Sequence, residues 1–271
     1  MGSFINGITD YNEWIQNRKE NKVYISKMAI VNYYLAKQER GEKLTFTDYV
    51  HLVSCVNISA LTGKLEDFYA ISTSVLMNKT CQGRARIEGS ICKDCYACKG
   101  VCRFSALAQS LEINYIILNR FLIPEEAWAT LAIPSVNGKS RIESHGDTDS
   151  ATCARNYLRI IKSHSFLTFG VWTKNINHYR VAFAKENGKP VNMIFIISSI
   201  YENVVMEVPE DMVEYVDHVF TVYTLEYARE HGIIINCGLY DENYKPIEHK
   251  CRNCMRCYVH GTEFYLNELK K

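Results

Sequence analysis

The sequence lacks a surplus of basic charge, a long apolar run and a recognisable phosphate-binding or nucleophile motif. Its 271 residues include 31 lysines and arginines against 30 aspartates and glutamates, which gives a net charge of +1. A protein held mainly by nucleic-acid phosphates carries a basic surplus, so nucleic acid is not expected as the main partner. The longest apolar run, residues 193–197, is the length of a strand and is far too short to span a membrane.

The first residues also lack the pattern of a secretory signal. Position 6 is Asn6, where N-myristoylation uses serine or threonine. We therefore expect a cytoplasmic protein without a membrane anchor. No Walker loop, G-x-G-x-x-G pattern or nucleophile elbow defines a reaction, so the expected partner is an unidentified small molecule or protein, and the oligomeric state is not predicted.

Cysteine, by contrast, is abundant, with eleven residues. Nine of them fall into two groups, each with an isolated cysteine followed by a tight triplet. The first group reads C-x10-C-x2-C-x2-C-x3-C, and the second reads C-x13-C-x2-C-x2-C. In chain order the nine candidate metal ligands are Cys81, Cys92, Cys95, Cys98, Cys102, Cys237, Cys251, Cys254 and Cys257. The remaining two, Cys55 and Cys153, are interpreted as small core residues.

Metal binding is the favoured interpretation of both groups, because a C-x2-C turn directs two thiols at one place. Disulfides are disfavoured by a reducing compartment and by the odd number of cysteines. Structural zinc usually takes two separate pairs of ligands, whereas three cysteines at x2 spacing enclose a cubane and leave its fourth iron to a distant cysteine. The sequence thus predicts one or two [4Fe–4S] clusters, with zinc as the alternative.

The spacing does not identify every ligand of the first group. Cys92 to Cys102 reproduces the spacing of bacterial ferredoxins, with Arg103 in place of the usual proline. One cysteine is then in excess, and either Cys81 or Cys102 could be the fourth ligand. We assign Cys81, Cys92, Cys95 and Cys98 to the first cluster and the four cysteines of the second group to the other.

Apolar periodicity divides the chain into three segments. Residues 1–65 show helical spacing and predict an N-terminal segment of three helices between about residues 9 and 62. Residues 66–236 alternate short β-branched runs with helical stretches, about 25 residues to a unit. Residues 237–271 form a cysteine-rich C-terminal segment that would carry the second cluster.

The alternation predicts an α/β fold with about six parallel strands. Six units are too few for a closed eight-stranded barrel, so we predict a partial (β/α) barrel with cysteine-rich cluster loops, and a doubly wound open sheet is the alternative. The predicted strands are residues 68–73, 141–144, 167–173, 193–198, 219–223 and 233–236. The predicted helices between them are residues 104–121, 148–163, 176–187, 211–216 and 225–231.

Polar residues follow the predicted strands, at the edge where parallel sheets bind ligands. His145 and Asp147 are the candidate catalytic residues, the first as a base and the second to orient an amine or a ribose hydroxyl, although Asp147 is also suited to cap a helix. The candidate cofactor-binding residues are Gly146, Lys174 and Ser198.

Several of these residues resemble motifs of the phage gene product 88 family. Lys79 to Gly83, followed by Cys92 and by Cys95 to Ala97, is similar to the K-T-C-P-G, cysteine and C-Y-A motifs of that family, with Gln82 in place of proline. The resemblance covers roughly residues 70–260, leaves the N-terminal helical part outside, and implies metal binding and a phage or prophage origin. Further matching positions are Asn119-Arg120, Ser144 to Asp147 (S-G-D-F in the family), Thr173 to Asn175, Ser198-Ser199, and Cys251, Cys254 and Cys257-Tyr258.

A more distant resemblance is to radical S-adenosylmethionine enzymes. These are also partial (β/α) barrels, with cluster cysteines after the first strand and a G-G-E motif after the second. The first cysteine group and Gly146-Asp147 occupy the corresponding places, whereas the C-x3-C-x2-C spacing of those enzymes does not occur in this sequence. The resemblance implies S-adenosylmethionine as a cosubstrate.

Two functions follow from the sequence. The first is an iron-sulfur protein with radical S-adenosylmethionine chemistry at the carboxyl face of the barrel. The second is a non-enzymatic interaction protein whose zinc ions or clusters serve to fold its loops.

Overall fold

A computed structural model describes residues 18–247, 250–261 and 263–270 of the chain. In these residues one seven-stranded sheet is packed against helices. The strands are β1 (Ser59–Ala60), β2 (Tyr69–Ile71), β3 (Lys139–Ile142), β4 (Thr168–Thr173), β5 (Met193–Ser198), β6 (His218–Tyr223) and β7 (Tyr265–Leu269). The helices are α1 (Lys22–Glu39), α2 (Phe46–Ser54), α3 (Lys79–Ala85), α4 (Tyr96–Arg103), α5 (Ser105–Arg120), α6 (Glu125–Trp128), α7 (Ala151–Ser163), α8 (Ile176–Lys185), α9 (Leu225–Glu230) and α10 (Cys251–Cys254).

The strands follow one another across the sheet in chain order. β1 is antiparallel to β2, and the six strands from β2 to β7 are parallel. The α/β fold is therefore confirmed. A doubly wound sheet requires the strand order to reverse, so that alternative is wrong. The strands in the described ranges form an open sheet and do not close into a barrel.

Five of the six predicted strands correspond to observed ones, and β5 has the predicted bounds. The sixth prediction is wrong, because residues 233–236 contain no strand and the last parallel strand is β7. Asn236 lies beside β7, but its side chain makes bonds there, donating to the carbonyl of Tyr265 and accepting from the N–H of Asn267. β7 itself contains Asn267 and Glu268 and has no continuous apolar run, so the periodicity gave no signal for it.

The predicted helices are largely present. Residues 211–216 are an exception, because the chain forms only a 3-10 turn at Glu210–Met212. Two of the three predicted N-terminal helices correspond to α1 and α2, and the first lies outside the described residues. α2 begins with a capping box, in which Thr45 and Asp48 each accept from the other's N–H. Cys55 and Cys153 are buried, as expected of core residues.

One face of the sheet packs against helices. All six residues of β5 are buried, which is typical of a central parallel strand. The ring of Phe195 in β5 lies 4.8 Å from Tyr179 and 5.4 Å from Phe183 of α8, measured between centroids. Among the helices described, none is both long enough and apolar enough to cross a bilayer.

The segment that carries the second cysteine group packs on the other face. Tyr258, in the 3-10 turn Arg256–Tyr258, has its ring centroid 4.6 Å from Phe68 and 5.5 Å from Trp172 of β4. Gly170 of β4 makes room for this ring and for that of Trp172, because a Cβ atom there would lie 2.7 Å from Cε1 of Tyr258 and 2.6 Å from Cζ3 of Trp172. The C-terminal segment is thus attached to the sheet both by β7 and by Tyr258.

We expect Gly170→Ala to lower the free energy of unfolding by about 1–3 kcal/mol, because the added methyl group overpacks the contact with Tyr258. Urea denaturation of the variant and the wild type measures this difference. Gly100→Ala is the matched control, since nothing lies within 4 Å of a Cβ at that position in α4. Alanine is favoured over glycine in a helix by about 0.5–1 kcal/mol, so this variant should be as stable as the wild type or more so. Equal stability of Gly170→Ala and the wild type would contradict the packing argument.

Candidate functional site

The first cysteine group follows β2 and lies against the loop that follows β3. Cys81 is in the first turn of α3, where its N–H donates to the side chain of Asn78 at 2.8 Å. The Asn78 amide in turn donates to the carbonyl of Asp147. Asp149 accepts from both the N–H and the hydroxyl of Thr80, at 3.2 and 2.7 Å. These bonds fix the helix that carries Cys81 to the β3–α7 loop.

Cys92 and Cys95 lie between α3 and α4. The N–H of Ile91 donates to the carbonyl of Ile200, just beyond β5, at 2.9 Å, so this loop is tied to another strand end. Cys95 is the N-cap residue of α4, and the N–H groups of Cys98 and Ala97 face its thiol. Successive N–H groups around a sulfur favour its anionic form, which is the form that binds metals.

Three thiols of this group lie close enough to affect one another's ionisation. Burial raises the pKa of Cys81 well above its usual value, and the negative charges of Asp147, Cys95 and Cys92 raise it further. Burial also raises the pKa of Cys95, while the N–H groups around it and the ammonium of Lys174 oppose that change. The structure thus brings together Cys81, Cys92 and Cys95, three of the predicted ligands.

Cys98 and Cys102 pair with each other. They are one turn apart on α4, with their sulfur atoms 3.8 Å apart. Cys98 is fully buried in an apolar cluster that includes Leu76 and Val101, and Cys81, Cys95 and Cys102 pack against the same cluster. Their role as metal ligands stays a prediction.

Asp147 joins three elements of the fold through its buried carboxylate. Its Oδ2 atom accepts from Arg84 of α3 at 2.7 Å and from the N–H of Lys174 at 3.0 Å. Its Oδ1 atom accepts from the hydroxyl of Thr173 at 2.7 Å and from the N–H of Thr148 at 2.8 Å. Four donors match the hydrogen-bonding capacity of a carboxylate. The N-cap of α7 is Ser150, so Asp147 does not cap that helix.

Gly146 and His145 complete the loop after β3. Gly146 has φ +80°, and a Cβ there would lie 2.7 Å from the carbonyl oxygen of Thr73, so the loop rests directly on the end of β2. His145 Nδ1 lies 3.0 Å from the hydroxyl oxygen of Ser144. Burial and the charge of Arg141 lower the pKa of His145, which suits the imidazole to act as a base near neutral pH. Its catalytic role stays a prediction.

The candidate cofactor-binding residues lie at three adjacent strand ends. Gly146 is in the β3–α7 loop, Lys174 follows β4 with its ammonium near Cys95, and the buried Ser198 ends β5. Tyr96 spans part of this edge, because its hydroxyl donates to the carbonyl of Ser144 at 2.6 Å. Their predicted contacts with a cofactor stay predictions.

The second group brings four cysteines together from two parts of the chain. The N–H of Cys237 donates to the carbonyl of Asn267 in β7 at 3.0 Å. Cys251 and Cys254 begin and end α10, and Met255 follows in a left-handed conformation with φ 56°. That turn leads directly to Cys257.

These four thiols also interact electrostatically. Burial raises the pKa of Cys257 to about 12, with further increases from the charges of Cys237, Cys251 and Cys254. Burial likewise raises the pKa of Cys237 to about 11. Such mutual repulsion among buried thiolates requires positive charge nearby if they are to ionise together.

Two cations supply that charge. Lys64 opposes the rise in pKa at Cys237 and Cys251, but it is paired at 2.6 Å with Glu268 of β7, whose negative charge raises the pKa of both thiols. Arg141 of β3 opposes the rise at Cys251 and Cys257. The guanidinium of Arg141 lies 3.9 Å from the ring centroid of Trp172.

The thiols are not arranged around a single point, as the ligands of one metal ion would be. In the part of the chain that the structure describes, no three or more Cys, His, Asp or Glu side chains are positioned to hold a metal ion. The chemistry of the donors nevertheless fits a metal–thiolate centre, because soft thiols are gathered in two groups, each beside cations. Two buried donors beside the second group, Arg141 Nε and the Tyr258 hydroxyl, also have no hydrogen-bond partner among the described residues.

The sequence analysis did not identify Arg141, which lies in β3, or Glu143, the residue that follows β3. Glu143 is buried with φ 59°, and it accepts from the N–H and hydroxyl of Thr73 and from the hydroxyl of Tyr157. A usable signal was present, because a glutamate and an arginine that flank the apolar Ile142 are unusual in a buried strand.

Comparison with known proteins gives one match. A family model described as Gene product 88 matches residues 35–263 of the 271 residues. The matched region begins well before residue 70, so the expectation that the N-terminal helices lie outside the family is wrong for α2 and for the last turn of α1. No curated protein and no solved structure matches the chain significantly.

We expect Glu143→Gln to change how stability depends on pH. Burial raises the pKa of Glu143 to about 8, although hydrogen bonds from Thr73 and Tyr157 oppose this change. The carboxyl is therefore neutral in the folded protein where it is already ionised in the unfolded chain. Its contribution to stability is complete below about pH 4.5 and is lost as the pH rises through about 8. Glutamine does not titrate, so the fall in the free energy of unfolding between pH 5 and 8 should be smaller in the variant.

Glu186→Gln is the control for this measurement. Burial opposes ionisation of Glu186, but its hydrogen bonds with Arg159 and Arg155 lower its pKa on balance, so it stays ionised over the same range. This variant should lose a similar amount of stability at pH 5 and at pH 8. Chemical denaturation at several pH values gives the slopes, and a wild-type slope in Glu143→Gln would rule out the assigned ionisation.

Proposed function

The chain belongs to the gene product 88 family, and we propose that it is an iron-sulfur protein that holds a [4Fe–4S] cluster in each cysteine group. The observation that carries the proposal is the grouping of Cys251, Cys254 and Cys257 in one short helix and the 3-10 turn after it, with Cys237 bonded to β7 and its thiol interacting electrostatically with that of Cys257. Four thiolates are the usual ligand set of such a cluster, one to each iron. The cations beside this group reduce the cost of burying the negative charge of a metal–thiolate centre.

Zinc could use the same thiols, but the arrangement along the chain favours iron. A single zinc ion needs its four ligands to converge on one point, whereas a cubane is enclosed by ligands spread around it. In the second group, three ligands come from the C-x2-C-x2-C run and Cys237 comes from beside β7. This spread of ligands matches the pattern expected around a cubane.

For the first group we propose Cys81, Cys92 and Cys95 as the ligands, with Cys98 and Cys102 as a separate pair. A [4Fe–4S] cluster bound there would supply one-electron transfer, and three protein ligands would leave one iron open for S-adenosylmethionine. One electron from an external reductant would break a carbon–sulfur bond of the sulfonium and give methionine and a 5′-deoxyadenosyl radical, which would take a hydrogen atom from the substrate.

The surrounding residues have distinct parts in this proposal. Asp147 holds α3 and the end of β4 in place through its bonds to Arg84, Thr173 and Lys174. The Lys174 ammonium and the backbone near Gly146 are placed to meet a carboxylate or a phosphate-like group, and His145 can take up a proton.

The fold supports an active site at this edge. Six parallel strands in unreversed order correspond to part of a (β/α) barrel, and we propose that the open sheet is such a partial barrel. In barrels of this kind the loops after the strands build the active site. The cysteines of the first group follow the first of the parallel strands.

A structural role for the second centre is the alternative. Tyr258 packs on Gly170, and Cys237 is bonded to β7. A metal bound by Cys237 and the C-terminal triplet would therefore hold the C-terminal segment against the sheet. Zinc or iron-sulfur could serve this purpose without catalysis, in an interaction protein.

The first test is the metal content of the protein purified without oxygen. We expect a brown protein with about four iron and four sulfide atoms for each occupied site. S-adenosylmethionine should change the electron paramagnetic resonance spectrum of the reduced protein. A colourless protein with stoichiometric zinc would contradict the iron-sulfur proposal, and an unchanged spectrum would remove the S-adenosylmethionine step alone.

The second test separates the ligands by substitution. Cys254→Ala should lose the metal of the second site and some solubility, because ligand loss removes folding free energy. Cys95→Ala should lose the metal of the first site, whereas Cys102→Ala should keep it. Cys55→Ala, in the core away from both groups, is the control and should keep full metal content. Loss of the first metal in Cys102→Ala would overturn the three-ligand assignment.

A further inference from the structure

We propose that Arg141 and Tyr258 form a donor pair for the second metal centre, with the Arg141 guanidinium as its counter-charge and both side chains donating hydrogen bonds to its sulfur atoms. This inference rests on the proposed function, because it requires a metal–thiolate centre at the second cysteine group. It assigns a role to two residues that are not themselves ligands, and both are positioning residues.

The position of Arg141 is set by the sheet. It pairs with Ala70 of β2 on one side and with Gly170 of β4 on the other. Gly170 has no side chain, so the ring of Tyr258 occupies the space above it. Trp172 lies two residues further along β4, on the same face, and its ring holds the guanidinium at 3.9 Å. Arg141 is thus held among rigid aromatic groups, with little freedom to move away.

Both side chains carry a buried donor atom without a hydrogen bond of normal geometry. In the described residues these atoms are Arg141 Nε and the hydroxyl of Tyr258, although the guanidinium and the hydroxyl lie close enough to interact with each other. A buried unpaired donor costs about 1–3 kcal/mol, so two of them side by side indicate an acceptor that the protein chain does not provide. The cysteines of the second group offer acceptors of suitable chemistry, since Cys257 directly precedes Tyr258 in the chain and interacts electrostatically with Arg141.

The charges agree with this assignment. Arg141 acts on the thiols of Cys251 and Cys257, which come from the two ends of the C-terminal triplet. In the described residues no carboxylate forms an ion pair with Arg141, whereas the other nearby cation, Lys64, is paired with Glu268. A guanidinium that acts on two of the four thiols and has no carboxylate partner in the described part of the chain is suited to balance the charge of a metal–thiolate centre. Sulfur atoms of such centres accept N–H and O–H bonds, and these bonds stabilise the more negative state of the centre.

The test uses the anaerobic full-length protein without metal, titrated with Co²⁺ in competition with a chelator. The absorption band of thiolate-bound Co²⁺ that is missing in Cys254→Ala identifies the second site. Loss of an outer-shell partner costs about 10- to 100-fold in metal affinity, and Arg141→Gln should weaken Co²⁺ binding at this site by that factor. Arg141→Lys, which keeps the charge, should recover part of the loss, and Tyr258→Phe should show a smaller loss than Arg141→Gln.

Arg252→Gln is the matched control. Arg252 lies between Cys251 and Cys254 in the sequence, but its side chain forms an ion pair with Asp67 at the surface. This variant should bind Co²⁺ like the wild type. If Arg141→Gln and Tyr258→Phe also bind like the wild type, the donor-pair inference is wrong, and the two donors are met by water.

Two further outcomes are distinguished by the same experiment. If the wild type itself shows no thiolate–Co²⁺ band, the same variants are compared after anaerobic reconstitution with iron and sulfide, and a wild type that forms no cluster there either overturns the proposed function and the inference with it. If Arg141→Gln does not fold, as judged by circular dichroism, Tyr258→Phe decides the question, because it removes only one hydroxyl and keeps the packed ring. Weaker binding by that variant supports the donor pair, and unchanged binding overturns it.

Discussion

The parallel pairing of β3 with β4 is the constraint on which both cysteine groups depend. This register places Arg141 opposite Gly170, and it brings the ends of the two strands together. Because Arg141 lies opposite Gly170, there is space above the sheet for Tyr258 and the cysteine group that precedes it. Because the ends of β3 and β4 meet, Asp147 can accept a hydrogen bond from Thr173 at the end of β4. A shift of one residue would turn every side chain of the strand to the opposite face. Arg141 would then enter the helical core, and the Asp147 bonds would be lost.

The sequence was sufficient for the fold where hydrophobic pattern and burial agree. β5 is apolar throughout and lies at the centre of the sheet, so its bounds were predicted correctly. β7 was missed because it is an edge strand with Asn267 and Glu268 in it, and residues 233–236 were predicted in its place because they are the more apolar segment. Whether the sheet closes depends on the curvature accumulated over all its strands, and no local pattern reports that.

The candidate site was predictable in its ligand types and only partly in its geometry. Spacing identified two cysteine groups, but it could not show that Cys98 is buried inside an apolar cluster while Cys95 caps the same helix and is only partly buried at the edge of that cluster. That difference depends on where α4 begins, and one residue changes the direction of a side chain by about 100°. Arg141 and Tyr258 were not connected because they are far apart in the chain. A glycine inside the apolar run of β4 was the one local sign that another part of the chain approaches closely there.

The two cysteine groups share an arrangement of charge that bears on their chemistry. Each has one cation already paired with a carboxylate, Arg84 with Asp147 and Lys64 with Glu268. Each also has one cation without a carboxylate partner in the described residues, Lys174 at the first group and Arg141 at the second. The unpaired cations differ in kind. Lysine is a flexible point charge at a strand end, where it can turn to an incoming anion, whereas the guanidinium of Arg141 is fixed against Trp172. Under the proposed function, the flexible Lys174 suits a first site that exchanges a ligand, and the fixed Arg141 suits a second site that keeps one charge state.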